Sequence, residues 1–174
     1  ENIKLNGQTS KSENKDKVYT NISPLLIGDS VMVDIGEEFK SQVPNATIDG
    51  KVGRHLQEAL TVANNYTNYN KPSNQVVLEL GTNGDFSQDE LDQLISKFGK
   101  AKIYLVNTRV PRSWQDNVNK QLSDAAKRHK NVVLVDWYKR SAGHTEYFAS
   151  DGVHLEHSGV QALSDEILKN MTKK

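Results

Sequence analysis

Short apolar runs alternate along the chain with longer stretches in which apolar residues recur every three or four positions. The runs are Pro24-Leu25-Leu26-Ile27, Ala46-Thr47-Ile48, Val76-Val77-Leu78-Glu79-Leu80, Ile103-Tyr104-Leu105-Val106 and Val132-Val133-Leu134-Val135. They are short, aliphatic and often β-branched, which predicts strands covered on both faces. Helical spacing is visible in Leu56, Ala59, Leu60, Ala63 and Tyr66, and again in Leu91, Leu94, Ile95 and Phe98 behind a Ser87-Gln88-Asp89-Glu90 capping box. Trp114, Val118, Leu122, Ala125, Ala126 and His129 form a third stripe, and Val160, Leu163, Ile167, Leu168 and Met171 a fourth. A shorter helix is expected from about Met32 to Lys40, interrupted at Gly36. Five strands alternating with five helices imply βαβ crossovers, hence an α/β chain folded as a three-layer sandwich on a five-stranded parallel sheet. Ligands of such sheets bind beyond the carboxyl ends of the strands. Chemistry is therefore sought just after Ile27, Ile48, Leu80, Val106 and Val135.

Composition narrows the classes. A chain of 174 residues suits one domain that buries its own core. Lys and Arg total 22, as do Asp and Glu, so the formal net charge is zero and no general grip on nucleic acid or anionic lipid is expected. Cysteine is absent, which excludes disulfides, Cys-ligated zinc and thiol catalysis. No run approaches the roughly 18 apolar residues of a membrane span. The Asn-, Lys- and Ser-rich stretch from Glu1 to Thr20 is expected to be a linker or tail, with Val18-Tyr19 available to lie along the domain, and residues 21–174 form the domain itself. A first residue of Glu, with no signal-peptide pattern, reads as an excised fragment or processed product with its targeting information upstream.

Each strand end carries residues that admit two readings. Gly28-Asp29-Ser30 is either a turn with a helix cap, or a nucleophilic Ser30 whose own N–H points at a developing oxyanion. It is not a Gly-x-Ser-x-Gly elbow, since position 32 is Met. Gly53 either makes a flexible turn or presents an open N–H to a substrate oxygen. In Gly81-Thr82-Asn83-Gly84, Asn83 either belongs to an ordinary turn or donates its side-chain amide to the oxyanion. Asp151-Gly152-Val153-His154 is either a capped helix start or a carboxylate held against Nδ1 of an imidazole, leaving Nε2 as a general base. The remaining histidines, His55, His129, His144 and His157, look structural or exposed. The signals are weak one by one, yet the topology brings them to one rim with complementary roles, as acyl chemistry at an ester requires.

Taken together, these blocks resemble the SGNH (GDSL-like) hydrolase and esterase superfamily, in that family's order and from about Pro24 to Asn170. Position 84 is Gly where many members have Asp. Within the superfamily the chain is similar to the extracellular C-terminal domain of bacterial peptidoglycan O-acetyltransferases, through Leu26 to Met32, Gly53-Arg54, Glu79 to Gly84, Arg109 to Trp114 and Asp151 to Leu155. The resemblance implies a flavodoxin-like SGNH hydrolase fold, a catalytic Ser30, Asp151 and His154, and an oxyanion hole of Ser30, Gly53 and Asn83. It further implies an acetyl donor, a peptidoglycan glycan acceptor, no metal and no cofactor. An upstream membrane acyltransferase domain would place this domain at the outer cell surface. The isolated domain is expected to be a monomer.

Three competing expectations stand beside it. A plain carbohydrate or lipid esterase shares the triad; Val31, Met32 and Val33 beside Ser30 would favour transfer by restricting water, though helix packing accounts for them equally well. A metal hydrolase would use Asp151, His154, His157 and His144. A non-catalytic glycan-binding module would stack sugars on Trp137, Tyr138, Tyr147 or Phe148. Arg54, Arg109 and Arg112 are the candidates for gripping the acceptor.

Overall fold

The computed structural model describes residues 17–173. Its five strands are β1 (Leu25–Gly28), β2 (Thr47–Gly50), β3 (Gln75–Glu79), β4 (Lys102–Val106) and β5 (Val132–Val135). All pair in parallel, in the order β2-β1-β3-β4-β5. The helices are α1 (Ser30–Gln42), α2 (Leu56–Val62), α3 (Gln88–Ser96), α4 (Gln115–Arg128), the short α5 (Trp137–Arg140) and α6 (His157–Met171), with a 3-10 segment over Ala63–Tyr69. The strand order reverses direction between β1 and β3, so the loops leaving these two strands flank the crevice where sheets of this order bind ligands.

Alternation along the strands builds two cores. Leu25 and Ile27 of β1, Val76 and Leu78 of β3, and Ile103 and Leu105 of β4 pack with α2, α3 and α4. The intervening Leu26, Val77, Tyr104 and Val106 pack with α1 and α6 on the opposite face. The three-layer α/β/α sandwich expected from the pattern is thus the fold. Covering on both faces holds for the central strands, whereas every residue of the edge strand β2 is only half-buried.

Two expectations need correction. The helix after β1 runs unbroken through Gly36, because Val31, Met32, Ile35 and Phe39 form one buried stripe. Burying four such side chains outweighs the ~1 kcal/mol that one helical glycine costs. Strand β2 runs on through Asp49 and Gly50, which pair with Ile27 and Gly28, so these two residues are strand rather than loop.

Of the expected tail, Glu1 to Asp16 lies outside the described residues. Tyr19 lies along the domain: its N–H donates to the Gln42 carbonyl at 2.7 Å, and its ring packs against the α1–α6 core. Among the described residues no helix is long and apolar enough to cross a membrane.

Candidate active site

The turn after β1 is built around two buried acids. Asp29 caps α1, its Oδ1 accepting the Val31 N–H at 3.0 Å. Ser30 is therefore the first helical residue, a position whose N–H has no intrahelical acceptor. Glu79, at the end of β3, accepts the N–H groups of Asp29 (3.2 Å) and Met32 (3.0 Å) on Oε1. Gly28 is what lets this carboxyl come so near: a Cβ there would stand 2.6 Å from Glu79 Oε1 and 2.5 Å from Met32 Cβ.

The loop after β3 is tied to the same turn, the Thr82 N–H donating to Asp29 Oδ2 at 3.3 Å. Next to it, Asn83 Nδ2 donates to the Arg54 carbonyl at 3.1 Å. That bond fixes the amide against the loop after β2 and uses one of its two hydrogens, leaving the other for a further acceptor. Gly53 in that loop has φ +81°, the left-handed region that glycine adopts without strain. Among the described residues no protein acceptor takes up the N–H of either Ser30 or Gly53.

Asp151 and His154 sit on the loop before α6. Asp151 Oδ1 accepts the N–H groups of Val153 (2.9 Å) and His154 (3.0 Å), and Oδ2 meets His154 Nδ1 at 2.5 Å. The carboxylate thus fixes both the loop and the imidazole. The hydrogen bond from His154, helped by the two main-chain N–H groups, holds Asp151 down to about 2. The same bond raises His154 above its ordinary 6.5. Both side chains are about half exposed, so the pair adds little to stability and acts mainly on protonation. The Leu155 N–H donates to Asp34 Oδ2 at 3.1 Å, fastening this loop to the helix that begins with Ser30.

These loops enclose one cleft of about 260 Å³, lined by Ser30, Gly53, Thr82, Asn83, Asp151 and His154, and closed by Val52, Val110, Arg112, Trp114 and Val153. The indole of Trp114 is set by a 3.3 Å bond from Nε1 to the Thr82 carbonyl. The His154 ring is bonded through Nδ1 to Asp151, and no hydrogen bond joins it to the Ser30 hydroxyl.

Several expected site residues lie elsewhere. Arg54 is buried and committed to the scaffold, with NH1 on the carbonyls of Gly28 (3.2 Å) and Asp49 (2.9 Å) and NH2 paired with Asp49 Oδ1 at 2.9 Å. Arg109 lies over the Tyr138 ring and bonds Ser141 Oγ and the Tyr138 carbonyl. Of the three arginines, only Arg112 lines the cleft. Val31 and Met32 are core residues and Val33 is exposed, so the cleft takes its apolar wall from other loops. Trp137 and Tyr147 are buried and stacked on each other, and Phe148 packs against that core, which leaves Tyr138 as the exposed aromatic of the four. His144 stacks on Tyr147 and pairs with Glu146. Among the described residues, no group of three or more His, Cys, Asp or Glu is arranged to hold a metal. His129 leaves its apolar stripe to pair with Asp92.

The parallel sheet in the order β2-β1-β3-β4-β5 is a flavodoxin-like arrangement, with the cleft at its switch point. No protein-family model matches the chain. In sequence it is 64% identical, over 176 residues and its whole length, to a Staphylococcus aureus (strain COL) protein named as an O-acetyltransferase, of which it spans 29%. It is 57% identical, over 150 residues and 86% of its length, to the O-acetyltransferase OatA of S. aureus (strain NCTC 8325), of which it spans 25%. In structure it is similar to the C-terminal catalytic domain of Streptococcus pneumoniae peptidoglycan O-acetyltransferase A with a methylsulfonyl adduct, at TM-score 0.73 and 20% identity over 87% of this chain and 93% of that one. A lipolytic protein of the G-D-S-L family from Veillonella parvula follows at TM-score 0.70 and 20% identity, covering 86% and 98% of the two chains. The chain thus shares its fold with these two structures, is similar in sequence to proteins named as O-acetyltransferases, and spans under a third of their length.

Proposed function

We propose that this chain is the catalytic domain of an O-acetyltransferase that carries an acetyl group through an acetyl-Ser30 ester to the C6 hydroxyl of muramic acid in peptidoglycan. What supports this most is the meeting of Ser30, Gly53, Asn83, Asp151 and His154 in one cleft, in a chain so similar to named O-acetyltransferases. The Ser30 hydroxyl attacks the acetyl carbonyl while its proton passes to His154 Nε2. The N–H groups of Ser30 and Gly53 and the Asn83 amide hold the oxyanion. The bond to the donor's leaving group breaks, and that group takes the proton from His154. The sugar hydroxyl then attacks the acetyl-enzyme, giving its proton to His154; the bond to Ser30 Oγ breaks and Ser30 regains its proton. An upstream membrane acyltransferase domain would deliver the acetyl group to this domain at the outer cell surface.

Water resolving the same ester would make the protein an esterase, and product analysis separates the two. With an activated acetyl ester and excess chitooligosaccharide, transfer predicts acetylated oligosaccharide rising at the expense of free acetate. Acetate alone at every acceptor concentration would contradict transfer.

Asn83→Ala removes one oxyanion donor and is expected to lower kcat by roughly 10²- to 10³-fold. Steady-state kinetics beside a melting curve close to wild type check this. The pH profile tests the base. His154 must be neutral to accept a proton, and Asp151 stabilises its protonated form, so kcat/KM should rise with pH along a limb centred above 6.5. Asp151→Asn should move that limb to lower pH and reduce the plateau by roughly 10³- to 10⁴-fold.

A further inference from the structure

Glu79 has no part in the steps above, yet it is bonded to the turn that carries Ser30. Its side chain is buried, 3% exposed, next to an Asp29 that is wholly buried. An acid so enclosed persists only when its polar atoms are partnered or its charge is removed. Oε1 accepts the N–H groups of Asp29 and Met32, which flank Ser30 on either side. Oε2 accepts the Thr82 hydroxyl at 3.4 Å, while the Thr82 N–H reaches Asp29 Oδ2. The two acids thus join the turn that carries Ser30 to the loop that carries Asn83. Among the described residues no Arg, Lys or His hydrogen-bonds either carboxyl, and the one imidazole that feels the Asp29 charge, His154, is paired with Asp151, so two full negative charges there would repel each other.

We propose that Glu79 is a positioning residue that works as a neutral carboxylic acid, its carbonyl oxygen holding the N–H groups of Asp29 and Met32 on either side of Ser30. Burial, and then the facing charge of Asp29 and the hydrogen bond between the two side chains, raise Glu79 well above the ordinary carboxyl range. The effect on catalysis rests on the acyl-Ser30 reading; the protonation of Glu79 does not. A shift of the turn by about 1 Å is enough to cost roughly 10²-fold in rate.

Glutamine reproduces a protonated glutamate in shape, with an oxygen to accept and an N–H₂ to donate. Glu79→Gln should therefore keep kcat within about threefold and KM unchanged, whereas Glu79→Leu should lose roughly 10²-fold in kcat with little change in KM. Two readouts do not depend on activity. The infrared spectrum of the wild-type protein at neutral pH should contain the carbonyl band of a protonated carboxylic acid, missing in Glu79→Gln. A carboxyl raised on folding makes the native state lose stability as pH rises from its unfolded value toward its raised native one, so the melting-temperature advantage of Glu79→Gln should grow as pH rises above the ordinary carboxyl range. Absence of the band, or a Gln variant as damaged as the Leu variant, would overturn the proposal. Should the wild type fail to form a covalent adduct at Ser30, the acyl-enzyme reading falls, and the band and pH trend still decide the state of Glu79.

Discussion

Ser30→Ala is expected to lower kcat by roughly 10⁶-fold while the melting temperature stays near that of wild type. The size of the loss follows from the chemistry: without an alcohol at the head of α1, no acetyl-enzyme forms, and only the oxyanion donors remain to act on water attack. The stability claim follows from the surroundings. The turn is held by the carboxyls of Asp29 and Glu79 and by the Gly28 approach, and the Ser30 hydroxyl is not among those bonds. Kinetics and thermal melting of the same preparation test both halves. A variant that unfolds would mean that Ser30 serves the fold, and one that keeps its turnover would remove it from the reaction.

His154→Ala should be nearly as damaging, also roughly 10⁶-fold, because nucleophile and base act as one unit. The informative comparison is the double variant. If Ser30 and His154 serve the same proton transfer, removing both costs no more than removing Ser30 alone. If the losses multiply, the two side chains act independently and the shared mechanism fails. The loop around His154 is closed by main-chain bonds, Ala149 N–H to the His154 carbonyl and Glu156 N–H to the Tyr147 carbonyl, so alanine should leave it in place.

Much of the framework was legible from periodicity alone. The aliphatic run in β3 and the Ser87 capping box before α3 are local signals, and the two-core alternation needs only the parity of side chains along a strand. The strand ends then pointed to loops that the structure brings together in one cleft, because the crevice of a parallel sheet is set by topology. What escaped was tertiary. Arg54 and Arg109 look from the sequence like ligands for an acceptor, yet the guanidinium of Arg54 is taken by neighbouring Asp49 and the distant Gly28 carbonyl, and that of Arg109 by the distant Tyr138. Glu79 passed as one more residue of an apolar run. A lone acid at the end of a fully buried strand was the available signal, since glutamate is almost never fully buried unless paired. Gly36 misled in the opposite direction: its local cost is real but small beside the buried stripe around it. The apolar cleft wall from Val52, Val110, Trp114 and Val153 comes from three separate loops, which no local pattern reveals.

The most direct test is intact-protein mass after brief exposure to an activated acetyl ester, followed by peptide mapping. One added acetyl group on Ser30, lost when a glycan acceptor is supplied and absent in His154→Ala, is the predicted result. Acetylation confined to other residues, or turnover of the ester with no adduct on Ser30 under rapid quenching, would contradict it.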